Sequence, residues 1–171
     1  MSKAGVTQFA CFEIGNQTYG ADIQEIREII TNKPALPVPR APEFMEGIIN
    51  LRGQVVPIVD MRKRLGVPLP SEENSRKERI IIMKLNNREI GIIVDGVDRV
   101  ISISDDNIDP SPDMSAEVGP EYLKGVAKDG KDMIMILDMN KVLTTTDQVR
   151  LDSINTAAAS EQTEDNSGRN V

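Results

Sequence analysis

The chain has no histidine in its 171 residues. It therefore lacks the commonest general base and the commonest transition-metal ligand, and it has no histidine-activated serine or cysteine nucleophile. Asp105, Asp106, Asp109 and Asp113 crowd one polar stretch, and clustered carboxylates are what calcium and magnesium prefer. An EF-hand loop needs glycine at its sixth position and glutamate at its twelfth; this stretch has Pro110 and Ala116 there. It reads as a solvated acidic loop. Cys11 has no base to activate it and reads as a buried structural thiol. Asp60 and Asp138 could be paired for acid–base work, but each follows an apolar run and opens a helical pattern, the place of a helix cap. Gly47, Gly53 and Gly91 lack the spacing and the Lys-Ser/Thr of a phosphate loop. No enzyme activity, metal or cofactor is expected.

Arg62-Lys63-Arg64 is the main basic run, with Arg76, Lys77 and Arg79 downstream. Single-stranded nucleic-acid binding would want aromatics interleaved with such residues, and none is near. The net charge of −7, from 20 basic and 27 acidic residues, also repels nucleic-acid phosphates and anionic membranes. The run reads as a solvated helix face or a charge match to an acidic partner. Arg52 is different. It sits at a hairpin tip, where folding does not require a long cation. Glu28 lies on the polar side of an earlier helical pattern. An Arg52–Glu28 pair would fix a surface or present a polar patch, with Ile26 and Ile80 adding apolar area beside it. Ordinary packing is the alternative reading.

These residues hang on one organising stretch, Gly47 to Leu65. Two apolar runs, Ile48–Leu51 and Val55–Val59, flank Arg52-Gly53-Gln54, which predicts a tight hairpin. Asp60 then caps a short helix that stops at Gly66, with Pro68 beyond. The unit recurs at Gly125 to Leu143, and the glycine-to-aspartate span is the same, 47 to 60 and 125 to 138. The repeat extends further. Asn16–Gly20 aligns with Asn87–Gly91, and Ile26 and Ile29 align with Val97 and Val100. The offset is 71 there and 78 at the hairpins. Two similar small β-barrels packed together are the physical reading, because each alone would bury little surface.

In chain order, Thr7–Ile14 and Gln17–Ala21 predict a first hairpin. Asp22 is expected to cap a helical pattern with Ile23, Ile26 and Ile30 on its apolar side. Prolines 34, 37, 39 and 42 make Asn32–Pro42 an edge strand or extended connector. Pro42–Glu46 reads as a single helical turn. Gly66–Glu78 is a polar connector and the candidate boundary between halves. Arg79–Leu85, Arg88–Asp95 and Gly96–Ile103 predict strands, with a left-handed turn at Asn86-Asn87. Ser104–Gly119 reads as a long polar loop. Glu121–Lys128 and Lys131–Leu137 form the second organising hairpin, and a helix is expected over Asp138–Asp147. The polar C-terminal stretch has no apolar periodicity and is expected to be disordered.

Hydrophobic residues make up 39 % of the chain, and its aromatics are only Phe9, Phe12, Phe44, Tyr19 and Tyr122. The core must therefore be Ile, Val, Leu and Met, a composition that favours strands. The single cysteine fits a reducing compartment. No apolar run approaches the ~18 residues of a membrane span. The expectation is a soluble, cytoplasmic protein.

Three segments carry a family resemblance: Tyr19–Ile29, Glu46–Arg62 (EGIINLRGQVVPIVDMR) and Gly91–Val97 (GIIVDGV). Together they resemble the CheW family of chemotaxis coupling proteins, over roughly Thr7 to Leu151. The resemblance implies an all-β fold with short helices: two five-stranded SH3-like β-barrels with a hydrophobic seam between them. It implies one CheW-like domain over residues 1–154, with its barrel boundary near 66–78 and a disordered acidic tail over 155–171. It also implies an adaptor that bridges transmembrane chemoreceptors to the histidine kinase CheA in membrane-associated polar arrays. The receptor's cytoplasmic hairpin tip would bind in the seam between the barrels, around Ile26, Glu28, Gly47, Arg52 and Ile80. The regulatory domain of CheA would bind near Val38, Arg40 and Asp60, with a further contact near Met114. A small-molecule-binding double β-barrel is the alternative function.

Overall fold

A computed structural model of the chain describes residues 5–68, 77–109 and 122–142. The strands run β1 (Val6–Ile14), β2 (Gln17–Asp22), β3 (Ile26–Thr31), β4 (Met45–Leu51), β5 (Gln54–Asp60), β6 (Arg79–Leu85), β7 (Arg88–Val94), β8 (Gly96–Ser104), β9 (Ile108–Asp109), β10 (Leu123–Asp129) and β11 (Asp132–Leu137). The helices are short: α1 (Met61–Leu65) and α2 (Met139–Val142). Asp60 caps α1 by accepting the Arg62 N–H at 2.9 Å, and Asp138 caps α2 by accepting the Asn140 N–H at 3.1 Å. Gly66, at φ 74°, ends α1 in the left-handed conformation.

The strands form two sheets, ordered β8-β1-β2-β11-β10-β9 and β3-β6-β7-β5-β4. Each is a β-barrel subdomain, and each takes strands from both halves of the sequence. The 66–78 connector thus links α1 to β6 within a single sheet. The duplication read from the sequence holds to the residue. Ile58 faces Gly91 across the parallel β5–β7 pair, and Ile136 faces Gly20 across the parallel β11–β2 pair. Bulges fall at matching places, between Met45 and Gly47 in β4 and between Leu123 and Gly125 in β10. Both glycines are required by close backbone approach. A Cβ on Gly47 would stand 2.2 Å from the Leu36 carbonyl oxygen, and one on Gly125 would stand 2.6 Å from that of Asp109.

Three apolar clusters follow from this arrangement. Phe9, Cys11, Ile101, Ile103, Ala127, Ile134 and Ile136 fill the first barrel. Ile49, Val56, Ile58, Ile80, Ile82 and Ile93 fill the second. The largest cluster draws Phe12, Ile14 and Tyr19 from one sheet and Ile81, Met83, Ile90 and Ile92 from the other. It is the hydrophobic seam, and the chain's own side chains fill it.

Several local expectations are corrected. Asp22 does cap a turn, accepting the Gln24 N–H at 2.9 Å, but the turn is a 3-10 segment of three residues, Ile23–Glu25. The expected helix then gives way to β3. Its β-branched residues alternate between half-buried and exposed and pair with β6, so a strand period was hidden in a run that also matched a helical one. Residues 42–45 close a hydrogen-bonded turn, with the Met45 N–H donating to Pro42 at 2.9 Å, but Met45 and Glu46 already belong to β4. The start of the 104–119 loop holds a 3-10 turn at Asp105–Asn107 and the short strand β9, so the first sheet has six strands rather than five. The rest of that loop, the helix beyond Val142 and the tail lie outside the described residues.

Candidate functional site

The β4–β5 tip carries the feature that folding explains least. Arg52 and Gly53 both have positive φ, 54° and 84°, as the tight primed hairpin turns require. Asparagine or aspartate normally takes the first of these positions because its side chain tolerates left-handed backbone. Here it holds an arginine. The Asn50 side chain supports the turn by accepting the Gly53 N–H at 2.9 Å. The guanidinium of Arg52 reaches back to β3 and donates two hydrogen bonds of 2.8 Å to the two carboxylate oxygens of Glu28. The side chain of Arg52 is 73 % exposed and that of Glu28 is 21 % exposed. Beside them Arg27 pairs with Glu89 at 3.1 Å. Arg27, Glu28, Leu51, Arg52, Gln54 and Glu89 line an open, polar groove of about 190 Å³. Strain held at an exposed cation is a mark of function more often than of packing.

The other expected site residues are placed unevenly. Ile26 is half-buried against the seam cluster. Ile80 is 0 % exposed inside the second barrel, so it shapes the strand beneath the groove and offers no surface. Gly47 is buried where the 36–37 connector crosses β4. Val38 packs partly against the seam. Arg40 is exposed and, like Arg52, held at positive φ (62°). Asp60 is 2 % exposed, and its carboxylate is taken up by α1. Met114 lies outside the described residues. The structure therefore joins Arg52 and Glu28 in one groove, whereas Ile26, on the same strand, turns to the other face toward the seam, and Val38 and Arg40 lie together on a separate segment.

The basic run of α1 is a solvated face only at Lys63. Arg62 is only 5 % exposed. Its guanidinium binds Asp60 at 2.9 and 3.0 Å, Glu78 at 2.7 Å and Asp95 at 3.1 Å. Burial pushes its pKa down, but the hydrogen bonds and charges of Asp60 and Glu78 outweigh this and hold it above the ordinary arginine value. Lys63 pairs with Glu46 at 2.5 Å, and that bond raises the Lys63 pKa. Arg64 lies over the rings of Phe44 and Tyr122, 5.1 and 5.7 Å from their centroids, and donates to the Val142 carbonyl at 2.7 Å. Arg62 and Arg64 are engaged internally, whereas Lys63 is exposed and pairs with Glu46 at the surface. The sequence held a signal for Arg62, which stands three residues before the buried Leu65 and next to the buried Met61, on the inner side of a one-turn helix.

The comparisons with known proteins agree with this geometry. The CheW-like domain family model matches residues 8–147. The chemotaxis protein CheW of Treponema pallidum is 30 % identical over 146 residues, covering 84 % of this chain and 86 % of that one. The protein of the same name from Rhizobium meliloti is 34 % identical over 138 residues, covering 81 % and 88 %. The crystal structure of the scaffolding protein TtCheW from Thermoanaerobacter tengcongensis superposes with a TM-score of 0.76 at 31 % identity, over 84 % of this chain and 96 % of that one. With its duplicated barrels, its filled seam and its Asn-Leu-Arg-Gly hairpin tip, this chain belongs to the CheW family of chemotaxis scaffold proteins.

Proposed function

We propose that this chain is the adaptor that couples chemoreceptors to the histidine kinase CheA in membrane-associated signalling arrays. The observation that carries the reading is the Arg52–Glu28 clamp on the rim of the β3–β5 groove. A receptor's helical hairpin presents apolar side chains at helical spacing, and the half-buried Ile26 and exposed Ile29 offer a strip to receive them. The clamp sets orientation at the rim, where charge contributes to specificity and encounter rate more than to affinity. Ile80 and Gly47 serve this surface from beneath. The exposed segment around Val38 and Arg40 is the kinase-facing candidate, and Asp60 supports it as a helix cap. Coupling needs no bond chemistry. It works because both partners' contacts bias one shared equilibrium.

The groove's size argues against a small-molecule receptor. Ligand pockets usually span about 300–1,000 Å³ with apolar walls, whereas this one is about 190 Å³, polar and open. The barrel interiors are packed with the chain's own isoleucines. Co-sedimentation of the chain with receptor cytoplasmic fragments, with and without CheA, tests the proposal. The expected result is kinase recruited to receptors only when the chain is present, with recruitment weakened by Arg52→Ala. Binding to neither partner would overturn the adaptor assignment.

A further inference from the structure

Asn50 stands two residues before the tip arginine. It is exposed, it belongs to none of the apolar clusters, and it does not line the groove. Among the described residues its side chain has one partner, the Gly53 N–H, which its oxygen accepts at 2.9 Å. That bond closes the turn where the backbone runs against local preference. Arg52 and Gly53 are both left-handed, at φ 54° and 84°. Glycine takes this region freely. A long side chain does not, and left-handed backbone disfavours it by roughly tenfold in population. The competing arrangement is the bulged type I turn, in which residue 52 takes negative φ and only the glycine stays left-handed.

Two contacts oppose that competitor. The first is the Arg52–Glu28 pair, with two bonds of 2.8 Å. The Arg52 side chain is 73 % exposed, and exposed pairs shift an equilibrium by only about one- to fivefold. The second is the Asn50 bond, and a net hydrogen bond shifts an equilibrium by about fivefold. The ion pair alone therefore does not offset the strain, whereas the two contacts together do. They also depend on each other in one direction. The guanidinium meets Glu28 only while the turn aims it at β3, and a reversal of φ at residue 52 swings the side chain away.

We infer that Asn50 is the positioning residue of the Arg52 clamp: its side-chain oxygen selects the left-handed turn that aims Arg52 at Glu28 and toward the partner. It touches no partner itself. That partner is the receptor hairpin of the adaptor reading, and the selection of the turn stands without it.

The test compares Asn50→Ala and Asn50→Asp in the full, isotope-labelled chain. Aspartate keeps an oxygen for the Gly53 N–H, and alanine does not. Asn50 is exposed, so neither change threatens the fold. The first readout needs no partner. Residue 52 should give the strong intraresidue amide–Hα NOE of left-handed backbone in the parent and in Asn50→Asp, and lose most of it in Asn50→Ala. The second readout is co-sedimentation with receptor cytoplasmic fragments. Asn50→Ala should weaken binding about fivefold, Asn50→Asp should restore it to within about twofold of the parent, and Asn50→Ala should add nothing to Arg52→Ala. A merely structural role would weaken binding equally in both backgrounds, and that result would overturn the assignment. So would a left-handed signal that persists in Asn50→Ala, or one that Asn50→Asp fails to keep. A parent chain that binds no receptor would sink the adaptor reading alone, and the signal at residue 52 would still decide the role of Asn50.

Discussion

Arg62 of α1 lies 3.1 Å from Asp95 at the end of β7, and Asp95 in turn accepts the Gly15 N–H of the β1–β2 turn at 2.7 Å. One buried guanidinium thus reaches from the second sheet to a turn of the first, through a single carboxylate. Removing it would leave Asp60, Glu78 and Asp95 facing one another without a cation. Breaking a buried ion pair from one side costs about 3–5 kcal/mol, so Arg62→Met is expected to lose stability on that scale. The midpoint of urea unfolding measures it. A loss under about 1 kcal/mol, the range of an exposed pair, would show that the cluster does not tie the barrels together.

Arg52 should behave in the opposite way. Its ion pair is exposed and contributes about 0–1 kcal/mol, while its left-handed backbone costs roughly 1 kcal/mol that asparagine would largely avoid. Arg52→Asn is therefore expected to leave stability unchanged or raise it by about 0.5–1 kcal/mol, yet to weaken receptor co-sedimentation. Thermal unfolding and the binding assay on one preparation separate the two effects. Loss of stability together with intact binding would make Arg52 a packing residue.

The contrast between these arginines shows what the sequence could reveal. Arg52 was visible because it breaks a local rule, a long cation in a turn that wants Asn or Gly. The duplicated hairpins, the caps at Asp60 and Asp138 and the Asn86-Asn87 turn were visible for the same reason, since each rests on local backbone chemistry. For Arg62 only the inward side was legible, from Met61 and Leu65 in the same turn; its partners were not, because they are distant. Glu78 and Asp95 come from 16 and 33 residues away, and only the packing of β6 and β7 beside α1 brings them in. β3 was misread because isoleucines at 23, 26 and 30 fit a helical period, and pairing with β6 settled the matter. The burial of Ile80 and Asp60 was equally invisible, since no pattern within one strand says which side of a barrel it faces.

Cys11 supplies a pH prediction. Its thiol is 0 % exposed in the first barrel. Burial raises its pKa above the ordinary value of 9.0, against the opposing effect of the Arg99 charge. Between pH 9.0 and the higher folded-state value, the folded chain keeps the proton while the unfolded chain sheds it. The unfolded state then binds fewer protons, so stability is whole below pH 9.0 and falls as pH rises through that window. Urea midpoints measured from neutral pH to above 10 should fall less steeply in Cys11→Val than in the parent, since lysine titration is common to both. Parallel curves would show that the thiol contributes nothing. The native chain should also react slowly with a thiol reagent until it is unfolded.

The duplicated register makes a prediction of its own at Gly91 and Gly20. Each glycine faces an isoleucine across the parallel strand pair, Ile58 and Ile136 respectively. A Cβ on Gly91 would stand 2.5 Å from the Ile58 Cδ1 and 2.9 Å from the Ile80 Cγ2, whereas one on Gly20 would stand 3.0 Å from the Ile136 Cδ1. Both alanine substitutions overpack a full interior, which costs about 1–3 kcal/mol, and Gly91→Ala should be the more damaging. The nearest obstacle at Gly91 is a terminal methyl, and valine in place of Ile58 removes it. Alone, Ile58→Val is expected to cost about 0.5–1.5 kcal/mol. Combined with Gly91→Ala it should recover part of the loss, giving a coupling energy of about 1 kcal/mol or more in a double-mutant cycle. Additive losses would mean that the strain at Gly91 comes from the Ile80 Cγ2 instead, and Ile80→Leu, which lacks that branch, would then give the recovery in the same cycle.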